Sequence, residues 1–186
     1  QMNSLKFKKL YGDHIPISEH PNIRSRSACL KSSSLAVDLA KKYSSRLHIL
    51  HISTAEEVDL FQNDIDLKDK KITTEVCIHH LSFTDLDYEK KGAFIKWNPA
   101  VKTKRDQDAL WKGLLNNKLD IIATDHAPHT IKEKNNSYFH CPSGAPMVQH
   151  ALIMMLQHSI NNRISFERIV EKMSHAPATC FKIKKR

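Results

Sequence analysis

The sequence predicts an α/β fold in which a mainly parallel sheet is covered by helices. Two observations support this prediction. Short apolar segments of strand length alternate with segments of helical periodicity, and the strand segments contain few polar residues. Continuous apolar strands are typical of parallel sheets that are buried on both faces. The 186 residues are compatible with one domain spanning residues 1–186.

The first third of the chain contains one predicted helix and one predicted strand. Residues 1–23 are predicted to be irregular because prolines interrupt them. Residues 24–43 are predicted to form a helix with one apolar stripe along it. A strand is predicted over residues 47–52. Ser53 and Thr54 then begin a helix, because a glutamate follows each of them at the third position. The apolar stripe comprises Ala28, Leu35, Leu39 and Tyr43, with Ala36 and Ala40 beside them.

Three more strands are predicted further along, over residues 72–79, 94–97 and 119–124. Thr103 is predicted to cap the helix before the fourth strand, since Asp106 occupies the third position after it. The rest of the chain is predicted to form a loop over about 131–144, an apolar helix over 147–156 and a last helix over about 165–173, capped by Ser165.

Composition excludes several classes of function. The net charge is +9, but the lysines are scattered apart from one cluster at residues 182–186, so no nucleic-acid partner is predicted. No apolar run reaches the ~18 residues of a membrane span. The four cysteines form no closely spaced pair, which favours reduced thiols and a cytoplasmic location.

The most informative stretch is the fourth predicted strand and the residues that follow it. A short apolar run ends in Asp125, His126, Pro128 and His129, and the proline requires the strand to stop. Ligands and catalytic groups of α/β proteins lie at the carboxyl ends of strands. These polar side chains are therefore predicted to belong to a functional site.

Polar side chains end the other predicted strands as well. His51, His79, Asn98 and Asp125 each stand at the end of a successive strand, so they are expected to face one space. Two imidazoles and a carboxylate are ligands that suit Zn²⁺. By strand alternation, His48 is predicted to face away from His51, and His80 away from His79.

Four stretches together resemble the second half of the barrel of the dihydroorotases, which belong to the amidohydrolase superfamily. They are His51–Thr54, Glu75–Leu81, Lys96–Ala100 and Thr124–His129. The resemblance covers the chain from about Pro21 to Phe181. It implies a (β/α)₈ TIM-barrel-type metal-dependent hydrolase. Here the barrel is expected to be incomplete, with approximately strands five to eight and their helices.

The resemblance also implies a binuclear zinc site and a reaction. His51 and His79 would be ligands of one Zn²⁺, and Asp125 would be a ligand of the other and the general base. Whether His79 or His80 is the ligand stays open. The implied reaction is the reversible hydrolysis of dihydroorotate to N-carbamoyl-L-aspartate in pyrimidine biosynthesis. A possible homodimer is also expected.

The residue types suit this chemistry independently. Hydrolysis of a cyclic amide needs an activated water, a polarised carbonyl and a proton for the leaving nitrogen. The resemblance further implies that Asn98 and His129 contact the small-molecule substrate, and that the backbone around Pro142 and Gly144 closes over it. Glu75 is predicted to point inward, but to lie deeper in its strand than Asp125.

Three features of the family have no counterpart in the sequence. It contains no His-x-His pair, no motif for a carboxylated lysine and no arginine following such a pair. The chain alone is therefore expected to be inactive. The alternatives are another cyclic amidohydrolase, such as a hydantoinase or allantoinase, and a non-catalytic scaffold that binds an enzyme such as aspartate transcarbamoylase. The run from His126 to His129 favours dihydroorotase, and retention of the three zinc ligands disfavours a scaffold.

Overall fold

A three-stranded parallel sheet forms the centre of the computed structural model, which describes residues 2–184. Strand β1 (Leu47–Ile49) pairs with β2 (Ile72–Cys77), and β2 pairs with β3 (Ile121–Ala123). The order is β1–β2–β3, so successive strands are neighbours and their carboxyl ends meet at one edge. Gln1, Lys185 and Arg186 lie outside the described residues, and with them part of the C-terminal basic cluster.

Helices precede, connect and follow the strands. They are α1 (Met2–Tyr11), α2 (His20–Ile23), α3 (Arg26–Lys42), α4 (Ala55–Val58), α5 (Ile78–Ser82), α6 (Tyr88–Lys91), α7 (Lys104–Leu115), α8 (Ile131–Lys134), α9 (Val148–Ile160), α10 (Phe166–Val170) and α11 (Ala176–Cys180), with a π-helical turn at Glu171–His175. Among the described residues, no helix combines the length and apolar character needed to cross a membrane.

The main core lies between the sheet and the longer helices. Val76 of β2 and Ile122 of β3 pack with Leu110 and Leu114 of α7 in one buried cluster. A Cβ atom placed on Gly113 would lie 2.7 Å from the side chain of Val58, so α7 approaches α4 too closely for any larger residue without a shift. This packing fixes the segment that follows β1 against α7.

The predicted third strand, residues 94–97, is wrong. Gly92–Ile95 forms a 3₁₀ helix, and the segment after it does not join the sheet. Its backbone carbonyls have other partners: one accepts from the N–H of Gly144 at 2.8 Å, and the next bonds the ring of His20 at 2.6 Å. A segment whose backbone groups are satisfied by a loop and a side chain has no need of a strand neighbour.

The predicted second strand is too long at its carboxyl end. Strand β2 stops at Cys77, and the next five residues form α5. His79 and His80 are therefore consecutive residues of a helical turn, where strand alternation does not apply. The prediction that His80 faces away from His79 is wrong, because the two ring centroids are 4.2 Å apart.

Two predictions for the N-terminal part of the chain are also wrong. Residues 2–11, predicted to be irregular, form α1, which has no buried residue. The predicted helix over residues 24–43 exists as α3, but of its apolar stripe only Ala40 is buried. The helix also buries Ser33 and Val37, and the Ser33 hydroxyl donates to Glu57 at 2.6 Å. The exposed apolar side chains of the stripe are Leu35, Leu39 and Tyr43.

The predicted helix caps are confirmed where the sequence pattern was strongest. Thr54 accepts from the backbone N–H of Glu57, and Thr103 accepts from that of Asp106. Ser165 caps α10 in the same way. Each cap satisfies a backbone donor that a helix start otherwise leaves without a partner.

Asp106 joins three helices at one buried carboxylate. It accepts from the hydroxyl of Thr103 at 2.6 Å, from the backbone N–H of Ala55 at 2.9 Å and from the guanidinium of Arg26. The backbone N–H of Thr103 donates to it as well, at 3.1 Å. The side chain is 1% exposed, so its negative charge is compensated by protein donors and not by water. The start of α4, and with it the segment after β1, therefore depends on this carboxylate.

We predict that Asp106→Asn lowers the free energy of unfolding by about 2–4 kcal/mol. The NH₂ group of the new amide would face N–H and O–H donors, and Arg26 would lose its buried carboxylate partner. Urea denaturation measures the change. The matched control is Asp108→Asn on the same helix, which removes the ion pairs of an exposed carboxylate with Lys104 and Arg163 and should cost less than about 1 kcal/mol. Equal effects of the two substitutions would contradict the assigned role.

Candidate metal and substrate site

The predicted site residues lie at the carboxyl ends of the three strands. His51 is the second residue after β1, His79 the second after β2, and Asp125 the second after β3. His51 and Asp125 both have left-handed backbone conformations, with φ of 41° and 45°. For residues other than glycine this conformation costs about 1–2 kcal/mol.

Four other non-glycine residues with positive φ are found in residues 2–184, and each directly follows the C-cap of a helix. They are Ser44, Asn117, Asn162 and Lys182. A left-handed residue is common at that position because it satisfies the last helical carbonyls. His51 and Asp125 follow strands instead, so no helix ending accounts for their conformation. Strain of this kind is a feature of functional sites.

Glu75 of β2 is occupied by contacts with the first strand and the residues after it. Its carboxylate accepts from the backbone N–H of His51 at 3.3 Å and lies 3.2 Å from Nε2 of His48. The ring of His48 also contacts the hydroxyl of Thr73 and packs edge-on against Phe181. His48 lines the same cavity as His51, so the prediction that it faces away from His51 is not borne out. Glu75 therefore holds the segment of His51 in place and is less available than Asp125 as a base.

His79 is fully buried, and neither of its ring nitrogens has a hydrogen-bond partner in the described protein. Its ring stacks on Trp97, with centroids 4.1 Å apart and an interplanar angle of 5°. Burial, followed by the charges of His80 and His51, lowers the pKa of His79 well below its usual value. The imidazole is therefore neutral, with an available lone pair.

His80 is held differently. Its Nε2 donates to the carbonyl of Pro99 at 3.1 Å, and its Nδ1 has no partner in the described protein. Burial lowers the pKa of His80 to about 3, so this ring is also neutral. A histidine whose one nitrogen is anchored on a carbonyl and whose other nitrogen is free resembles many metal ligands. The geometry thus leaves both His79 and His80 as candidates.

Cys77, His79 and His80 form a compact group of potential metal ligands, with their ligand atoms all within 4.8 Å of one another. Within residues 2–184, His51 and Asp125 lie outside this compact group. They are nevertheless near it, since His51 contributes to the lowered pKa of His79, and Asp125 contributes, after burial and Glu75, to a raised pKa of the Cys77 thiol. The joint ligand set of His51, His79 and Asp125 stays a prediction.

The residues present fit a zinc ion on chemical grounds. An unsatisfied buried polar atom costs about 1–3 kcal/mol, and His79 and His80 together bury three of them. Neutral imidazole nitrogens and a carboxylate are ligands that Zn²⁺ accepts, whereas Cys77 would bind it only as a thiolate. Each neutral imidazole has one lone-pair nitrogen, so a bound cation would satisfy one nitrogen of His79 and Nδ1 of His80.

His51 and Asn98 line one cavity of about 520 Å³ beside β1 and α3. Arg24 and Cys29 also contribute to its wall. The side chain of Asn98 is exposed, and its backbone follows Trp97, on which His79 stacks. The predicted substrate residue Asn98 is therefore adjacent both to the cavity and to the buried histidines.

The remaining predicted substrate residues come together where two loops dock. The N–H of Ala127 donates to the carbonyl of Ala145 at 3.2 Å, and Nε2 of His129 donates to the carbonyl of Ser143 at 3.1 Å. A Cβ atom on Gly144, whose φ is 115°, would lie 2.5 Å from that of Ala127. Only glycine permits this approach. The stretch after β3 and the loop around Pro142 are thus one unit.

No protein-family model matches the chain. Curated relatives are found, including the dihydroorotase of Deinococcus radiodurans, which is 34% identical over 165 residues, covering 88% of this chain and 39% of the relative. The dihydroorotase of Latilactobacillus sakei is 35% identical over 148 residues, covering 79% of this chain and 34% of the relative.

Solved structures agree on the fold. An L-hydantoinase from Arthrobacter aurescens superposes with a TM-score of 0.88 at 26% identity, covering 99% of this chain and 41% of that one. The chain is a relative of the dihydroorotases and other cyclic amidohydrolases of the amidohydrolase superfamily. It spans 34–39% of the length of the curated dihydroorotases it matches.

This amidohydrolase relative has the fold predicted from its sequence, since it matches part of the TIM barrel of hydantoinases. A dihydroorotase from Saccharomyces cerevisiae, solved with 5-fluoroorotic acid, superposes with a TM-score of 0.71 over 80% of the chain and 42% of that one. At 19% identity, that match concerns the fold alone.

Sequence reasoning missed one histidine that shapes the site. His20, which belongs to none of the sequence patterns above, is fully buried, with Nε2 2.6 Å from the carbonyl of Trp97 and Nδ1 2.8 Å from the hydroxyl of Tyr138. A carbonyl can only accept, so Nε2 carries the proton and Nδ1 accepts from the tyrosine. Burial lowers the pKa of His20 to about 3.

We predict that His20 makes the protein sensitive to acid. Its pKa is about 3 in the folded state and near 6.5 when unfolded, so between these values the unfolded chain binds the extra proton. The free energy of unfolding therefore falls as the pH drops from 6.5 toward 3, by up to ~1.4 kcal/mol per pH unit from this group. Denaturant titrations across this range should give a shallower slope for His20→Gln than for wild type. The exposed His14→Gln should leave the slope unchanged, and a shared slope for all three proteins would refute the prediction.

Proposed function

We propose that the complete protein carrying this chain is a cytoplasmic dihydroorotase, which hydrolyses dihydroorotate reversibly to N-carbamoyl-L-aspartate in pyrimidine biosynthesis. The observation that carries the proposal is the buried imidazole of His79, which has two unpartnered nitrogens beside His51 and His80. The names and 34–36% identities of the curated relatives support the choice of substrate. The four unpaired cysteines suit a reducing compartment.

The metal assignment follows the ligand types and their positions. His51 and His79 would hold one Zn²⁺ and Asp125 the other, at the ends of adjacent strands. Bound zinc would lower the pKa of a water molecule and polarise the substrate carbonyl. His80 is the competing candidate for the place of His79, because its Nδ1 is also unpartnered.

Asp125 is proposed as the general base. Its carboxylate would accept a proton from the attacking water as oxygen bonds to the amide carbon. It would return that proton to the ring nitrogen as the carbon–nitrogen bond breaks, so that one residue serves both halves of the reaction. Glu75 is a weaker candidate because it already accepts from His51 and contacts His48.

Asn98, His129 and the backbone around Pro142 and Gly144 are proposed to bind the substrate ring and its carboxylate. Because Nε2 of His129 donates to the carbonyl of Ser143, its Nδ1 is the nitrogen left for a ligand. The N–H and the carbonyl of Gly144 are already bonded inside the protein. We therefore propose that Gly144 determines the shape of the loop and does not itself form a hydrogen bond to the substrate.

The second candidate function is that of a hydantoinase, favoured by the TM-score of 0.88 with the Arthrobacter enzyme. Turnover of dihydroorotate and of hydantoin by the complete protein would decide between them. A non-catalytic scaffold that binds a partner enzyme is disfavoured, because it has no use for the strained His51 and Asp125 or for unpartnered buried histidines. A homodimer stays a prediction.

We predict that Asp125→Asn in the complete enzyme lowers kcat by ~10²–10⁴-fold, the usual contribution of general acid–base catalysis. The amide still offers an oxygen lone pair but accepts no proton, so most of the zinc should remain bound. Steady-state assays and metal analysis test both parts. The control is the exposed Asp69→Asn, which should behave as wild type. A kcat within threefold of wild type would exclude Asp125 as the base.

We predict that His79→Ala lowers the zinc content of the complete enzyme more than His80→Ala does, since the ring of His79 has no hydrogen bond within the described protein, whereas the ring of His80 is already held by the carbonyl of Pro99. Metal analysis of dialysed protein gives the stoichiometry. His79→Leu adds a second reading, because without a metal it removes two unsatisfied buried atoms and should not destabilise the fold. The reverse order of zinc loss would assign the ligand role to His80.

A further inference from the structure

Two buried lysines hold the loop that carries Pro142 and Gly144. Nζ of Lys96 donates to the carbonyls of Tyr138 and Cys141, each at 2.6 Å. Nζ of Lys134 donates to the carbonyls of Pro142 at 3.0 Å and Gly144 at 2.9 Å. The two side chains are only 7% and 4% exposed.

No carboxylate in residues 2–184 forms an ion pair with either lysine. Burying an ammonium group without a counter-ion is costly, and burial accordingly lowers the pKa of both Lys96 and Lys134. Backbone carbonyl oxygens and the ring of Tyr138, 4.4 Å from Nζ of Lys96, provide the compensation. Because burying these two ammonium groups is costly, their contacts with the loop carbonyls indicate a specific role for both lysines.

The same contacts connect the loop to Asn98. Lys96 lies two residues before Asn98, and its own carbonyl accepts from the N–H of Gly144 at 2.8 Å. The hydroxyl of Tyr138 donates to His20, and His20 donates to the carbonyl of Trp97. The segment 96–98 and the loop 138–144, both proposed to contact the substrate ring, are therefore connected to each other by buried hydrogen bonds.

His129 is connected to the same loop through its bond to the carbonyl of Ser143, which lies between the two carbonyls held by Lys134. The position of that carbonyl decides which nitrogen of His129 is protonated and where the other one points. A change in the loop backbone is thus transmitted to a side chain proposed to bind substrate.

We propose that Lys96 and Lys134 are positioning residues for the substrate, which set the geometry of the loop 138–144 relative to Asn98 and His129. The inference rests on the proposed function. It assigns the two ammonium groups no contact with the substrate or with the metal.

The experiment uses the complete protein and compares Lys134→Met with Lys132→Met, an exposed lysine on the same short helix. Lys134→Met should raise the KM for dihydroorotate at least tenfold and leave kcat within threefold, because Asp125 and the metal ligands are untouched. Zinc content should not change. A lower melting temperature with an unchanged KM would overturn the proposal, since that is the result of a purely structural role.

A second measurement follows the loop itself. Hydrogen exchange of the Cys141 and Gly144 amides, both bonded in the structure, should be at least tenfold faster in Lys134→Met and unchanged in Lys132→Met. If Lys134→Met does not fold, Lys96→Gln and Lys134→Gln replace it, because a neutral amide keeps one donor for the loop. Unchanged exchange in folded variants of both lysines would overturn the proposal.

These readouts separate the inference from the proposed function. If the wild-type protein hydrolyses hydantoin and not dihydroorotate, the proposed substrate is wrong, and the KM comparison is made with hydantoin. If it hydrolyses neither, the exchange rates still decide whether the lysines order the loop. Accelerated exchange would support the part of the proposal that concerns loop geometry, and unaltered exchange would overturn the whole of it.

Discussion

The site depends on a single constraint, which is that its buried loops contain backbone groups that no sheet can satisfy. The segment after Ile95 and the loop around Pro142 lie beyond the strands, yet much of their backbone is inaccessible to water. A buried carbonyl without a donor is costly. The protein meets this requirement with the side chains of His20, Lys96 and Lys134, each of which bonds backbone carbonyls of these segments. Rigid loops at the carboxyl edge of the sheet are the consequence.

Because the loop carbonyls are satisfied in this way, buried polar atoms that lack a hydrogen-bond partner indicate a binding site. The protein satisfies the loop carbonyls even at the cost of burying two ammonium groups, but it leaves both nitrogens of His79 without a partner. It also retains left-handed backbone at His51 and Asp125, where no helix ending calls for it. Unsatisfied and strained groups at the ends of three neighbouring strands describe a place where something else binds. The missing hydrogen bonds and the left-handed backbone are independent observations, and both occur at the same edge of the sheet.

Much of the fold could be predicted because local signals agreed with the tertiary structure. Thr54 and Thr103 cap helices because their side chains and the acidic residues three positions later act within one turn. The errors arise where distant contacts decide. Residues 94–97 have strand composition, but His20 and Gly144 take their backbone bonds. The predicted second strand extends to His79, but β2 ends at Cys77 and a helical turn brings the rings of His79 and His80 together. Lys96 and Lys134 gave no sequence signal, because a lysine is ordinarily a surface residue.

The charges around the site bear on which cyclic amide it would take. The pKa of His20 is lowered first by burial and then by Lys96, Lys102 and Arg24, and Lys102 also lowers that of His80. Arg24 lines the cavity beside His51 and Asn98, and no carboxylate within residues 2–184 forms an ion pair with it. Glu57 lines the same cavity, but its carboxylate already accepts from the hydroxyls of Ser33 and Thr54. The positive field of Arg24 at this cavity favours an anion over a neutral molecule of the same size. Dihydroorotate carries a carboxylate and hydantoin does not. The unpaired Arg24 therefore favours the proposed dihydroorotate over hydantoin, on grounds that do not depend on sequence similarity.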